Sequence, residues 1–298
     1  MRRHFDSAVA TALVALAPVV LSGQNDGLAA RISARIAQVP GAKVGVYYRD
    51  LDRGDSLLIG AGIRLHAAST MKIPVMIQVF RDVDAGSLSL DDSLMVSPTF
   101  KSLVDGSPFD VDKADDSDST LYARIGAKES VRDLLELMIT ISSNLATNLL
   151  ITRIDPERAN ATAHWLGADS IAVLRGVEDG KAYQAGRNNT TTARDLGVLL
   201  AAIELRRAAT PASCEAMLQI LGRQRLNEKI PAGLPPGTRV AHKTGDVDGV
   251  VNHDAGVVYP PQGGHYVLVV LTGGIEKPAD ANALIADVAR MISGARGR

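Results

Sequence analysis

Apolar positions fall first at Leu28, Ile32, Ile36 and Val39, a helical spacing that stops at Pro40-Gly41. This predicts one amphipathic helix ended by the proline and glycine. Two strand-like runs follow, Lys43 to Asp50 and Ser56 to Ile59, and Leu51-Asp52-Arg53-Gly54-Asp55 between them has the chemistry of a hairpin turn. A second apolar run begins at Ile73 and continues through Val75, Met76, Val79 and Phe80. It predicts a buried helix that reaches about Asp84 and ends near Ala85-Gly86.

From Leu88 to about Arg207 the pattern is mostly helical, with polar interruptions, the longest from Asp110 to Thr120. Ser130-Val131-Arg132-Asp133 reads as a helix N-cap with an acid three places on. The apolar Leu134, Leu135, Leu137, Met138 and Ile141 then lead straight into Ser142-Ser143-Asn144. Further helices are expected from Leu145 to Ile154 and from Thr192 to Arg207. After Pro231 to Pro236 the period changes: Arg239 to Thr244, Asn252 to Tyr259 and Tyr266 to Thr272 read as strands, and Ala279 to Met291 as a closing helix. The expected fold is therefore α+β. A five-stranded antiparallel sheet, flanked by the terminal helices, comes from residues 24–62 together with 208–298, and an all-helical lobe from 63–207. With no internal repeat or low-complexity linker, the two lobes form one catalytic domain.

Composition adds limits. The chain has 298 residues, 46% hydrophobic and 22% charged, with a net charge of −1. That suits a globular protein and excludes nucleic acid as the expected partner, since neither a basic run nor interleaved aromatics are present. The start, Met1-Arg2-Arg3-His4, then an apolar segment from Ala8 to Leu21, then Ser22 and Gly23, reads as a signal peptide over residues 1–23. The expected product is secreted to the periplasm, with no membrane anchor after cleavage, and monomeric. Cys214 is the single cysteine, so no disulfide forms within the chain, and a buried apolar role is expected for it. His66, His164, His242 and His253 are scattered, so neither a metal site nor a cofactor is expected.

The candidate chemistry starts at Ser69-Thr70-Met71-Lys72, at the head of the buried helix. Residues three apart share a helix face at about 5–6 Å between Cβ atoms, which lets Lys72 reach the Ser69 hydroxyl as a base. Burial or nearby positive charge would lower the lysine pKa toward that task, and free N–H groups at a helix start suit an oxyanion. Taken alone, the stretch also fits a capping serine and a solvated lysine. Ser142-Ser143-Asn144 alone could break one helix and cap the next, and Lys243-Thr244-Gly245 alone could be a strand ending in a turn.

The three motifs in this order, across almost all of the mature chain, resemble the class A β-lactamases and the wider serine penicillin-recognising enzymes. The resemblance implies Ser69 as the nucleophile that becomes acylated and Lys72 as its proton partner. It implies Ser142 as the relay to the leaving nitrogen and Asn144 as the amide that holds the substrate's acylamino carbonyl. Lys243 would supply positive potential, Thr244 would bond the substrate carboxylate, and Gly245-Asp246 would continue the edge strand. There the Asp246 N–H would join that of Ser69 in the oxyanion hole.

The sequence also departs from the family pattern. Arg175-Gly176-Val177-Glu178-Asp179 carries its glutamate one place late, and the usual Leu-Asn pair after it is missing. Glu178 is expected to activate the deacylating water, with Asp179 the competing carboxylate. Asn189 stands where an aspartate usually closes this loop, Ser143 replaces the usual aspartate between Ser142 and Asn144, and no arginine near Val250 to Asp254 assists Lys243. Asn148 is expected to tie the neighbouring loop, and Phe80 and Trp165 to lie in the core. The implied function is a serine β-lactamase, with a β-lactam or acyl-D-Ala-D-Ala-like molecule as substrate. A related D-alanyl-D-alanine peptidase or esterase, or a penicillin-binding sensor that acylates without turnover, remains the alternative.

Overall fold

A computed structural model describes residues 23–297, so the expected signal segment lies outside the described residues except for Gly23. The chain begins with α1 (Gly23–Ala37), then the hairpin β1 (Lys43–Asp50) and β2 (Ser56–Ile59), and the short β3 (Leu65–His66). A 3₁₀ turn (Ala68–Met71) runs into α2 (Lys72–Asp84). Short strands β4 (Ser93–Met95), β5 (Thr99–Lys101), β6 (Pro108–Asp110) and β7 (Lys128–Ser130) precede α3 (Val131–Thr140), α4 (Asn144–Ile154), α5 (Pro156–Trp165) and α6 (Gly180–Gln184). Then come β8 (Thr190–Thr191), α7 (Ala193–Glu204), α8 (Pro211–Leu221), β9 (Arg239–Val247), β10 (Val251–Tyr259), β11 (Tyr266–Gly273) and α9 (Pro278–Arg296).

Among the described residues the main sheet has five strands, all antiparallel, in the order β2-β1-β11-β10-β9. Both of its faces are covered, and the two-residue period of a strand divides its side chains between two cores. On β11, Tyr266, Leu268 and Val270 join Leu28, Ile32, Leu284 and Val288 of the terminal helices, whereas Val267, Val269 and Leu271 face the helical side. Because the strand is apolar on both faces, it reads as a continuous run rather than an alternation.

The second core is built around α2, in which ten residues from Lys72 to Asp82 are buried. It packs against α3, α4, α5 and α8, so its apolar surface has no solvent face to spare. Ser130 caps α3 by accepting from the Asp133 N–H at 3.1 Å, and Thr192 caps α7 in the same way from Asp195. The Ser130 cap stands where the sequence pattern puts it, and α7 follows the expected start at Thr192.

Several elements differ from expectation. α5 and α8 interrupt stretches without a strong amphipathic stripe, and α8 buries Cys214, Met217 and Leu221 in the same core as α2 and α7. Helical packing thus continues beyond residue 207, through α8. Trp165 is 68% exposed with Arg81 stacked over its ring, not a core residue, whereas Phe80 is buried. No helix among the described residues is long and apolar enough to cross a membrane.

α7 lies across the sheet at Gly197, where an added Cβ would sit 2.3 Å from the Tyr47 ring. Alanine improves helix propensity by about 1 kcal/mol, but overpacking of this kind costs about 1–3 kcal/mol, and more when the neighbour is a rigid ring. Overlap outweighs propensity. Urea unfolding of Gly197→Ala is expected to show a stability loss of roughly 1–2 kcal/mol, and an unchanged or higher midpoint would refute this packing argument.

Candidate active site

The serine turn is held from three sides. Thr70 Oγ1 donates to the Ala67 carbonyl at 2.5 Å, the Ala68 N–H donates to His66 Nδ1 at 3.1 Å, and the Ala67 N–H donates to the Asn189 carbonyl at 2.8 Å. Ala68 has φ +45°, a left-handed conformation that a non-glycine residue keeps only when its surroundings impose it. Ser69 is half-buried, and among the described residues its hydroxyl has no hydrogen-bond partner. The edge strand β9 runs against this turn: a Cβ on Gly245 would lie 3.1 Å from the Ser69 nitrogen and 3.0 Å from that of Thr70.

Lys72 is fully buried, and its ammonium donates to Ser142 O at 2.7 Å, Ser142 Oγ at 3.2 Å and Asn144 Oδ1 at 3.0 Å. None of these bonds goes to the Ser69 hydroxyl. A buried ammonium needs an acceptor for each of its three protons, and the 142–144 turn supplies all three. Lys243, equally buried, donates to the same Ser142 Oγ at 2.9 Å and to Thr244 O at 2.9 Å. One hydroxyl thus lies between two lysines. Ser142 has φ +65°, which turns its carbonyl and its hydroxyl toward the cleft together.

Burial lowers the Lys72 pKa to about 7, against opposing fields from Asp116 and Glu178. Lys243 is pushed well below the ordinary lysine range, first by burial and then by the Lys72 charge beside it.

The loop after α5 brings in Glu178. Its Oε1 accepts from Asn144 Nδ2 at 2.8 Å and its Oε2 from the Asp112 N–H at 2.9 Å. Asn144 is therefore a bridge, with its amide oxygen on Lys72 and its amide nitrogen on Glu178. Burial raises the Glu178 pKa, Asp116 and Asp115 add to that, and the two donated hydrogen bonds pull the other way.

Glu178 has φ +63°, so the residue that comes one place late in sequence is turned into the cleft by a left-handed backbone. Asn148 holds Val177 from both sides, donating to its carbonyl at 2.9 Å and accepting from its N–H at 2.8 Å, and so ties the loop as expected. Asp179 does not join this group: it caps α6 and accepts from Ser102 Oγ and the Leu103 N–H. Asn189 closes the loop without a charge, since its side chain accepts from the Leu174 and Arg175 N–H groups and donates to the Arg175 carbonyl.

Thr244, Gly245 and Asp246 follow Lys243 along β9, and the first two are buried. Asp246 is exposed and pairs with Lys229 at 2.8 Å and with Asn252 Nδ2 at 2.8 Å. Sequence reading missed Lys229, the second cation beside this strand, and also Asp116. Asp116 carboxylate oxygens accept from the Asn144 N–H at 2.9 Å and the Leu145 N–H at 2.8 Å. Its one signal was the density of acids between Asp110 and Asp118. Among the described residues, no group of three or more His, Cys, Asp and Glu is placed to hold a metal.

A half-buried serine on a strained turn, two buried lysines on one hydroxyl, and a carboxylate linked to them by an amide define a serine acyl-transfer enzyme of α+β fold. A family model described as the β-lactamase enzyme family matches residues 27–295. A β-lactamase of Streptomyces lavendulae is 29% identical over 266 residues, 88% of this chain and 84% of that protein. The structure of a β-lactamase from Sphaerobacter thermophilus DSM 20745 is 30% identical with a TM-score of 0.77, covering 91% of this chain and 97% of that one. A leucine-to-glutamate mutant of PBP-A, solved as its acyl-enzyme with penicillin G, is 30% identical with a TM-score of 0.76, at 91% and 97% coverage. The chain belongs to the β-lactamase enzyme family, with class A members among its relatives.

The lysine environment is directly measurable. In carbon-13 lysine NMR, assigned with Lys72→Arg, the Lys72 side chain is expected to titrate with a midpoint close to 7. A midpoint in the ordinary range, about 10.4, would contradict the burial described here.

Proposed function

We propose that the protein is a serine β-lactamase that opens the β-lactam amide through an acyl-enzyme on Ser69 and releases the product with a water activated by Glu178. The observation that carries this reading is the continuous link from Lys72 through Asn144 to Glu178, beside the Ser69 turn. The β-lactamase names of the relatives, and the penicillin G acyl-enzyme of PBP-A, support the substrate class.

In this mechanism substrate enters with its amide carbonyl at the N–H groups of Ser69 and Asp246. Lys72, with a pKa of about 7, is neutral in a large share of molecules at neutral pH and accepts the Ser69 proton. Ser69 Oγ then attacks the carbonyl carbon, and the C–N bond breaks as the nitrogen takes a proton through Ser142 Oγ. That hydroxyl accepts from both lysines, so its own hydrogen is free to point at the departing nitrogen.

Lys243 and Thr244 hold the substrate carboxylate beside Gly245. Asn144 keeps one amide N–H on Glu178 and turns the other, weakly placed 3.5 Å from the Asp115 carbonyl, to the acylamino oxygen. In deacylation ionised Glu178 takes a proton from water, the resulting hydroxide attacks the ester carbon, and Ser69 leaves as the alcohol. The basic, apolar and small-residue order of the N-terminus supports export to the periplasm, where the enzyme acts as a monomer.

With a chromogenic cephalosporin, Ser69→Ala is expected to lose at least about a thousandfold in turnover. Glu178→Gln should still acylate but deacylate about a hundredfold or more slower, so that mass spectrometry finds a lasting adduct on Ser69. A wild-type adduct that persists for hours would instead select a penicillin-binding sensor. The pH dependence has a definite sign: Glu178 works only when ionised and its pKa is raised, so the deacylation rate, measured on the isolated acyl-enzyme, should fall as pH drops through a midpoint above 4.5.

A further inference from the structure

The family pattern that the sequence resembles has an aspartate at position 143, and here a buried serine stands there. Its hydroxyl caps the Ala146 N–H at 3.2 Å, which leaves the first two N–H groups of α4, on Asn144 and Leu145, without a partner from the motif itself. Both are taken by Asp116, which lies 28 residues earlier in the chain and also accepts from Ser143 Oγ at 3.3 Å and Tyr122 OH at 3.1 Å. Asp116 is itself fixed within its loop, since it accepts the Asp118 N–H at 3.0 Å and Asp118 in turn accepts from Thr120. A carboxylate at this helix start is favoured by the free N–H groups and by the partial positive charge there.

We propose that Asp116 is a positioning residue of the hydrolytic site, which supplies from the loop after β6 the carboxylate absent at position 143 and thereby orients Asn144 between Lys72 and Glu178. This inference rests on the functional reading above and deepens it. The Asn144 side chain has one short arm for two partners, Lys72 at 3.0 Å and Glu178 at 2.8 Å, so its backbone must be pinned for both bonds to hold. Asp116 pins the nitrogen at the root of that arm. The charged groups that face the Lys72 ammonium are Asp116 from this loop, Glu178 from the loop after α5 and Lys243 from β9, with Ser142 and Asn144 as its neutral partners. Asp116 and Glu178 favour the protonated lysine, so removing the Asp116 charge moves Lys72 toward its neutral form.

The test is a cycle on the mature protein with Asp116→Asn, Ser143→Asp and the double variant. Asp116→Asn is expected to lower kcat/KM by roughly 10–100-fold and to shift the Lys72 NMR midpoint down by about half a pH unit or more. Ser143→Asp alone crowds a second carboxylate against Asp116 and should lower kcat/KM at least about threefold. Added to Asp116→Asn, the same change restores a carboxylate at the helix start and should raise kcat/KM about tenfold.

That reversal of sign is not the signature of a merely structural residue. The proposal is overturned if Asp116→Asn keeps kcat/KM within twofold, if its Lys72 midpoint does not move, or if Ser143→Asp has the same sign in both backgrounds. Should Asp116→Asn fail to fold, a Ser143→Asp single variant with undiminished kcat/KM still overturns it. The lysine titration needs no substrate: a wild type without β-lactam turnover, but with the midpoint shift in Asp116→Asn, would sink the functional reading and leave the positioning role standing.

Discussion

Two ammonium groups buried around one hydroxyl are the constraint from which the rest of the site follows. Desolvating a lysine disfavours its charge by several kcal/mol unless every proton finds an acceptor. Lys72 has three, the Ser142 carbonyl, the Ser142 hydroxyl and the Asn144 amide oxygen, and Lys243 has two, the same hydroxyl and the Thr244 carbonyl. None of these is a formal anion. The lysines therefore have hydrogen-bond acceptors without a neutralising anion, and their pKa values stay below the ordinary lysine range. A carboxylate in direct contact would have stabilised the ammonium form and opposed the base role proposed for Lys72.

That arrangement dictates local backbone. Ser142 presents its carbonyl and hydroxyl to the same lysine only by taking a left-handed conformation, and Ala68 and Glu178 take similar ones on the facing segments. Three such residues around one cleft are a strain of order 1–3 kcal/mol each, and packing elsewhere must impose it. Buried α2 behind Lys72, the Asn148 clamp on Val177 and the Asn189 ties to both the serine turn and the loop are the elements that do so. Carboxylates sit one step further out: Glu178 and Asp116 meet Lys72 through Asn144 and not directly.

What the sequence made legible follows the range of the interactions. Helix α3 was announced by a cap within three residues, and the β1–β2 hairpin by a five-residue turn. The ordered trio of motifs located the cleft: the first two lie at the starts of α2 and α4, and Lys243-Thr244-Gly245 lies within β9. Helix α8 carried local signals too, Thr210 as a cap and Pro211 after it, but its apolar positions do not form a clean stripe since it is covered from several sides. Asp116 and Lys229 were not legible at all. Their partners are 28 and 17 residues away across loops whose course no local pattern sets. The acceptors of the Lys72 ammonium were not legible for a related reason. Spacing within a helix brings Lys72 near Ser69, but the acceptors that decide where a buried ammonium points come from residues 142 and 144.

The charge pattern of the cleft also bears on how an anionic substrate is recognised. Lys72, Lys243 and Lys229 are set against Glu178, Asp116 and Asp246, and burial lowers the pKa of both Lys72 and Lys243, so the cleft carries no excess of positive charge near neutral pH. Long-range attraction therefore contributes little to capture, since steering needs an excess of one sign. Asp246 at the mouth even opposes an incoming carboxylate, and Lys229 and Asn252 blunt that opposition by occupying its oxygens. On the proposed reading, a substrate carboxylate would be recognised by contacts at hydrogen-bond distance along β9, which weaken far less with salt than surface steering does. The close approach of that strand to the Ser69 turn, made possible by the missing side chain of Gly245, would then matter more to substrate placement than any net potential of the site.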